Sequence, residues 1–176
     1  DQFVGEYKIK DFILCVGRFD SIQKNQLNLI KALRDSGIPM VFIGEPDQGM
    51  EAYYDRCKKE APQGTLFIDH LCQGCQTLAS AYAACRTFVV PSKFEYPGLA
   101  AMEAILSGCR RLAMTKIGST MEYYKDYAHY FNPYELEDIE RVVMGVHYSD
   151  GNDESAIEYF KNTHLWEHYS AGLVKI

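Results

Sequence analysis

The sequence predicts an α/β fold in which a parallel sheet is covered by helices on both faces. Two observations lead there. Short apolar runs alternate with longer stretches of helical periodicity between residues 11 and 148. The apolar runs are nearly continuous, as expected of strands buried on both sides. The length of 176 residues, with 47% hydrophobic and 24% charged residues, fits a single domain over 1–176 that can bury a core.

The first strand is expected in 11–17, DFILCVG. A helix follows in KNQLNLIKALRDSG, where Leu27, Ile30, Ala32 and Leu33 fall near helical spacing and Gly37 ends the pattern. PMVFIG (39–44) is the second strand and GMEAYYDRCKKEA (49–61) the second helix, stopped by Pro62. TLFID (65–69) is the third strand, followed by the alanine-rich helix 75–85. RTFVVPS (86–92) is the fourth, followed by the helix 98–108, closed by Gly108. RRLAMT (110–115) and the short AHYF (128–131) complete six strands. Helices are expected at 134–148, near 153–161, and at 164–176 with Thr163 as its cap.

With right-handed crossovers, six such strands favour a Rossmann-like doubly wound sheet in the order 3-2-1-4-5-6. Strands 1 and 4 are then neighbours, and ligands bind in the crevice at their C-terminal ends. Functional residues are therefore expected after Gly17 and after Ser92.

Composition narrows the function. A net charge of −6 and a pI near 5.4 argue against nucleic acid as a partner. No apolar run reaches the roughly 18–20 residues of a membrane span, so direct membrane insertion is not expected. The opening DQFVGEYKIK is polar, unlike a signal peptide, and lacks Met, which suggests a domain excised from a longer chain. The six cysteines show no disulfide framework and read as free thiols of a reducing compartment. Cys72 and Cys75 have the spacing of half a zinc site, but no second half completes it, and no metal is expected. His164 and His168 stand at i, i+4 without a third ligand and read as part of a packing helix around Trp166. Tyr123, Tyr124, Tyr127 and Tyr130 read as packing residues, and the acids of 135–140 and 150–158 as solvated helix faces.

Two stretches carry the candidate chemistry. After strand 1, Gly17 permits a tight exit, and Arg18 and Lys24 follow within one loop near a helix start. A guanidinium fork, a mobile ammonium and free helix N–H groups suit a diphosphate; two solvated loop cations are the plainer alternative. After strand 4, Pro97-Gly98 opens a helix whose Gly98 and Leu99 N–H groups face the same sheet edge. Glu103 lies about 7.5 Å further along that helix and suits the paired hydroxyls of a ribose. Glu95 precedes the helix, nearer whatever is attached beyond the phosphates. The plainer alternative is a solvated Glu95 and a helix-stabilising Glu103. No glycine-rich dinucleotide fingerprint or P-loop is present.

The stretches VGRFDSIQKNQLNLIKAL, FVVPSKFEYPGLAAMEAILSG and TKIGSTMEYY, in this order, resemble the C-terminal half of a family 4 (group 1) retaining glycosyltransferase. Glu95 and Glu103 match that family's E-x7-E motif, and Arg18 and Lys24 precede it as Arg-x5-Lys. The resemblance runs from about residue 10 to the C-terminus. It implies the C-terminal half of a GT-B fold that binds a nucleoside-diphosphate sugar and transfers the sugar with retention, without cofactor or metal. Arg18, Lys24, Gly98 and Leu99 would hold the diphosphate, Glu103 the ribose, and Glu95, as the catalytic-site acid, the donor sugar. His70 and Leu71 would line the base pocket. The N-terminal acceptor domain would be the partner, and this domain alone would be nearly or wholly inactive. The resemblance implies a cytoplasmic enzyme, peripheral to the membrane face when full length. Gly118-Ser119 stands where the family often has Gly-Gly, and Tyr96-Pro97 follows Glu95 where small or aromatic residues are frequent. Rival readings are another GT-B enzyme, such as an epimerase or a glycogen-type synthase, and a non-catalytic Rossmann-like binding domain.

Overall fold

The computed structural model describes residues 2–71, 75–151 and 154–164. Six strands form at the apolar runs: β1 Ile13–Val16, β2 Met40–Ile43, β3 Leu66–Ile68, β4 Thr87–Val90, β5 Leu112–Thr115 and β6 His129–Phe131. They make one parallel sheet in the order β3-β2-β1-β4-β5-β6, the Rossmann-like arrangement expected from the sequence. The helices are α1 Gln2–Tyr7, α2 Gln26–Leu33, α3 Glu51–Glu60, α4 Gln76–Ala84, α5 Leu99–Leu106, α6 Thr120–Tyr124, α7 Leu136–His147 and α8 Ser155–His164.

Alternation along each strand divides the interior into two cores. Leu14, Val41, Phe88, Leu112 and Met114 point to one face, beneath α1, α4, α5 and α8. Ile13, Cys15, Phe42, Val89 and Ala113 point to the other, beneath α2, α3 and α7. Continuous apolar runs are needed because both faces are dry.

The structure departs from the sequence reading at three places. The polar opening segment forms α1, whose Phe3 is buried, stacks on Tyr7 at 4.5 Å between ring centres, and donates its N–H to Ser80 Oγ at 3.0 Å. Six residues are too few to display a helical period. Helix α6 escaped for the same reason, and its Tyr124 is fully buried. Thr163 lies inside α8 rather than ahead of a helix, and its hydroxyl donates to the carbonyl of Tyr159, four residues back. The expected helix at 164–176 lies outside the described residues beyond His164, as do Cys72, Trp166 and His168.

At the opposite edge of the sheet from the strand C-termini, His147 ends α7. Its Nδ1 shares a hydrogen bond with Thr87 Oγ1 at 3.0 Å, and its carbonyl accepts from Arg86 Nε at 2.7 Å. Burial, reinforced by the Arg86 charge, lowers the imidazole pKa from 6.5 to about 4. The unfolded chain therefore binds the proton first as the pH falls. Stability should decline from about pH 6.5 and level off near pH 4, by no more than about 3.5 kcal/mol at about 1.4 kcal/mol per pH unit. Urea unfolding between pH 7 and 4 measures this, and His147→Gln should remove that part of the slope.

Candidate functional site at the strand reversal

The crevice opens because β1 and β4 part. β1 pairs with β2 from Ile13–Met40 to Val16–Ile43, but with β4 only at Ile13–Thr87 and Leu14–Phe88. Ahead of those pairs lies a cavity of about 290 Å³, with Val16 and Gly17 on one side and Val90 and Ser92 on the other. Lys24, Glu95, Gly98 and Leu99 complete its wall.

Glu95 is the centre of this cavity's polar network. Its Oε2 accepts from Lys24 Nζ at 2.9 Å and from Ser92 Oγ at 2.7 Å, and the residue is only 6% exposed. A buried carboxylate needs such donors, since leaving it unpaired costs several kcal/mol. Its backbone is held too: Glu95 N donates to Ile117 O at 3.1 Å and Glu95 O accepts from Ser119 N at 3.2 Å. This contact needs Gly118, which has φ +108° and where a Cβ would sit 2.1 Å from Glu95 O. The Gly118-Ser119 variation noted in the sequence thus keeps the glycine that the contact requires.

Gly98 is the left-handed N-cap of α5, with φ +87°. Its carbonyl takes N–H bonds from Ala101 and Met102 and a hydroxyl bond from buried Tyr124 at 2.5 Å. The helix start is thereby pinned from α6, with the Leu99 and Ala100 backbone at the cavity wall. Leu99 itself is 65% exposed.

Arg18 and Lys24 do not share one cavity. Arg18 lines a second one, of about 380 Å³, with His70, Leu71, Glu45 and Asp47; Val16 and Gly17 line both. Its guanidinium lies 3.4 Å from Asp47 and 3.8 Å from Asp20. Glu103 lines a third cavity, of about 320 Å³, which has Leu78 in common with the second. There it accepts from Tyr82 Oη at 2.8 Å. Nor does Lys24 stand at the first turn of α2, which begins two residues later at Gln26.

Several site residues carried no motif. Asn25, buried with φ +59°, donates through Nδ2 to Pro91 O at 3.0 Å and Pro133 O at 2.9 Å, clamping the ends of β4 and β6. Asp20 folds the Arg18–Lys24 loop by accepting from Ile22 N at 2.7 Å, an Asx turn. Lys93 donates from Nζ to Ser21 O at 2.9 Å, and Gln23 from Nε2 to Phe94 O at 3.1 Å, so the two functional loops are knitted together. Asn and Asp beside a strand end were a readable signal for turns, but not for these partners. Cys15, at the cavity floor, is buried, and that burial pushes its thiol pKa up to about 12. It is thus protonated at neutral pH and no nucleophile. Among the described residues, no His, Cys, Asp and Glu cluster is arranged to hold a metal ion, and no helix is long and apolar enough to cross a membrane.

Fold and crevice define a Rossmann-like α/β protein with a polar site where the strand order reverses. Residues 1–163 match the family of glycosyl transferases group 1, and the chain belongs to that family. A glycosyltransferase from Rickettsia africae superposes with a TM-score of 0.84 at 14% identity, over 99% of this chain and 49% of that one. Sucrose-phosphate synthase from Thermosynechococcus elongatus gives 0.79 at 16% identity, over 99% and 47%. Anabaena HepE, solved in complex with UDP and glucose, gives 0.79 at 17% identity, over 99% and 51%. The chain spans about half the length of these structures, and its fold is that of one Rossmann-like half of a GT-B architecture. No curated protein sequence matches it.

The Lys24–Glu95 pair is largely buried, whereas the Arg18–Asp47 pair is about half exposed on both sides. Lys24→Met should therefore cost about 1–3 kcal/mol in urea unfolding, with part recovered in Lys24→Met/Glu95→Gln. Arg18→Ala should cost less than about 0.5 kcal/mol.

Proposed function

We propose that this chain is the donor-binding, C-terminal domain of a retaining, metal-independent glycosyltransferase. It would bind a nucleoside-diphosphate sugar and present it to an acceptor held by an N-terminal domain. The observation that carries this reading is the run of polar groups along one helix at the strand reversal. Glu95, Gly98 and Leu99 line one cavity at its start, and Glu103, further along it, lines another. In this reading the base would lie near His70 and Leu71, the ribose at Glu103, and the diphosphate and sugar before Glu95.

Transfer breaks the bond between the sugar's anomeric carbon and the β-phosphate oxygen, and negative charge grows on that phosphate. Arg18, Lys24 and the start of α5 would stabilise it. The outgoing phosphate would accept the acceptor's proton on the same face, giving retention. Both cations already have carboxylate partners, so the diphosphate must draw Arg18 from Asp47 and Lys24 from Glu95. Release from Lys24 would free Glu95 Oε2 for hydroxyls of the donor sugar. Without the acceptor domain, sugar transfer by this chain should be nearly or wholly absent. The full enzyme would work in the cytoplasm, peripheral to the membrane face.

Calorimetric titration with UDP, GDP and ADP tests the assignment; UDP comes first because the structurally similar HepE was solved with it. Arg18→Ala and Glu103→Ala should each weaken binding about tenfold, the loss of roughly 1.4 kcal/mol. Asp47→Asn should tighten it, and EDTA should leave it unchanged. Binding that survives both alanine substitutions undiminished would overturn the donor-site reading.

A further inference from the structure

We infer that Tyr82 is a positioning residue that orients the Glu103 carboxylate toward the ribose of the bound nucleotide; this rests on the donor-site reading above. Tyr82 sits on α4, is 2% exposed, and donates from Oη to Glu103 Oε2 on α5 at 2.8 Å. Its ring is fixed in turn by an edge-to-face contact with Phe88 of β4, at 5.5 Å and 66°. A rigid path thus runs from the central sheet through a buried ring to a carboxylate that is only half-buried at a cavity wall.

The two motif acids are held by different chemistry. Glu95 is bonded by an ammonium, which offsets its charge. Glu103 is bonded by a phenol, which fixes the carboxylate without cancelling its charge. Burial, and then the charge of Glu103, raise the phenol's pKa, so it stays protonated and remains the donor. The bond from Tyr82 limits rotation of the carboxylate before the ligand arrives. Fixing an acceptor in advance lowers the ordering cost of binding.

Tyr82→Phe keeps the ring against Phe88 and removes only the donor. The test compares UDP, GDP and ADP with their 2′-deoxy counterparts by calorimetry, in the native chain and in Tyr82→Phe. The native chain should prefer the ribose form by about tenfold, as for a hydrogen bond to a charged group. Tyr82→Phe should reduce that preference to less than about threefold while binding of the deoxy form changes little. Equal weakening of both forms would mean a merely structural role and overturn the inference, as would an undiminished ribose preference. Binding without ribose preference in the native chain would overturn the inference together with the role of Glu103, while leaving a nucleotide site. Failure to bind any of the three nucleotides would overturn the donor-site reading itself, and the inference with it. If the phenylalanine variant does not fold, 3-fluorotyrosine at position 82 keeps ring and hydroxyl but changes donor strength. It should move the ribose preference by about twofold, and an unchanged ratio would overturn the inference.

Discussion

The ion pair between Lys24 and Glu95 is the interaction on which the rest of the site depends. It spans the gap where β1 and β4 stop pairing, so it replaces lost backbone bonds with a charged bond between the loops that follow. Ser92 shares the same carboxylate oxygen, tying the end of β4 into the pair. A charge this deeply placed would be costly alone. With two donors it becomes a fixed point from which the Pro97-Gly98 turn and α5 are launched.

Around that point the polar contacts are layered. Asn25 joins β4 to β6, Asp20 shapes the first loop, Gly118 brings the β5 loop against Glu95, and Tyr124 holds the start of α5. Of these, Tyr124 also packs in the first core, against Phe160, whereas Asn25, Asp20 and Gly118 belong to neither core. The cores set where the strand ends lie; the buried polar groups then determine how each loop leaves the sheet. Such groups are satisfied in nearly every case, as burial demands, although Ser119 Oγ is an exception among the described residues.

Much of the fold was legible because its signals are local. Continuous apolar runs mark strands buried on both faces, and Gly or Pro ends the helices between them. The strand order followed from handedness and chain connectivity, and with it the location of the crevice. What was not legible depends on contacts between residues distant in sequence, 21 apart for Tyr82 and Glu103 and 71 apart for Lys24 and Glu95. Nothing near Lys24 announces Glu95, and nothing near Tyr82 announces Glu103; each pair exists only once the sheet brings its loops or helices together. Arg18 was grouped with Lys24 because they share a loop, yet Asp47, from the loop after β2, draws Arg18 to a neighbouring cavity. The short α1 and α6 were invisible because a single turn or so has no period to read.

The separation of β1 from β4 has a consequence for how such a protein can diversify. The floor of the crevice is backbone and strand, held by the cores, whereas Tyr96 and Leu99 stand at its wall largely in solvent, with Ile22 and Phe94 exposed on the loops that follow β1 and β4. Replacing a rim residue changes what meets the far end of a ligand, while the strand register beneath stays as it was. Inheritance of the scaffold and innovation in selectivity are thereby assigned to different atoms, and one architecture can be retuned without being refolded.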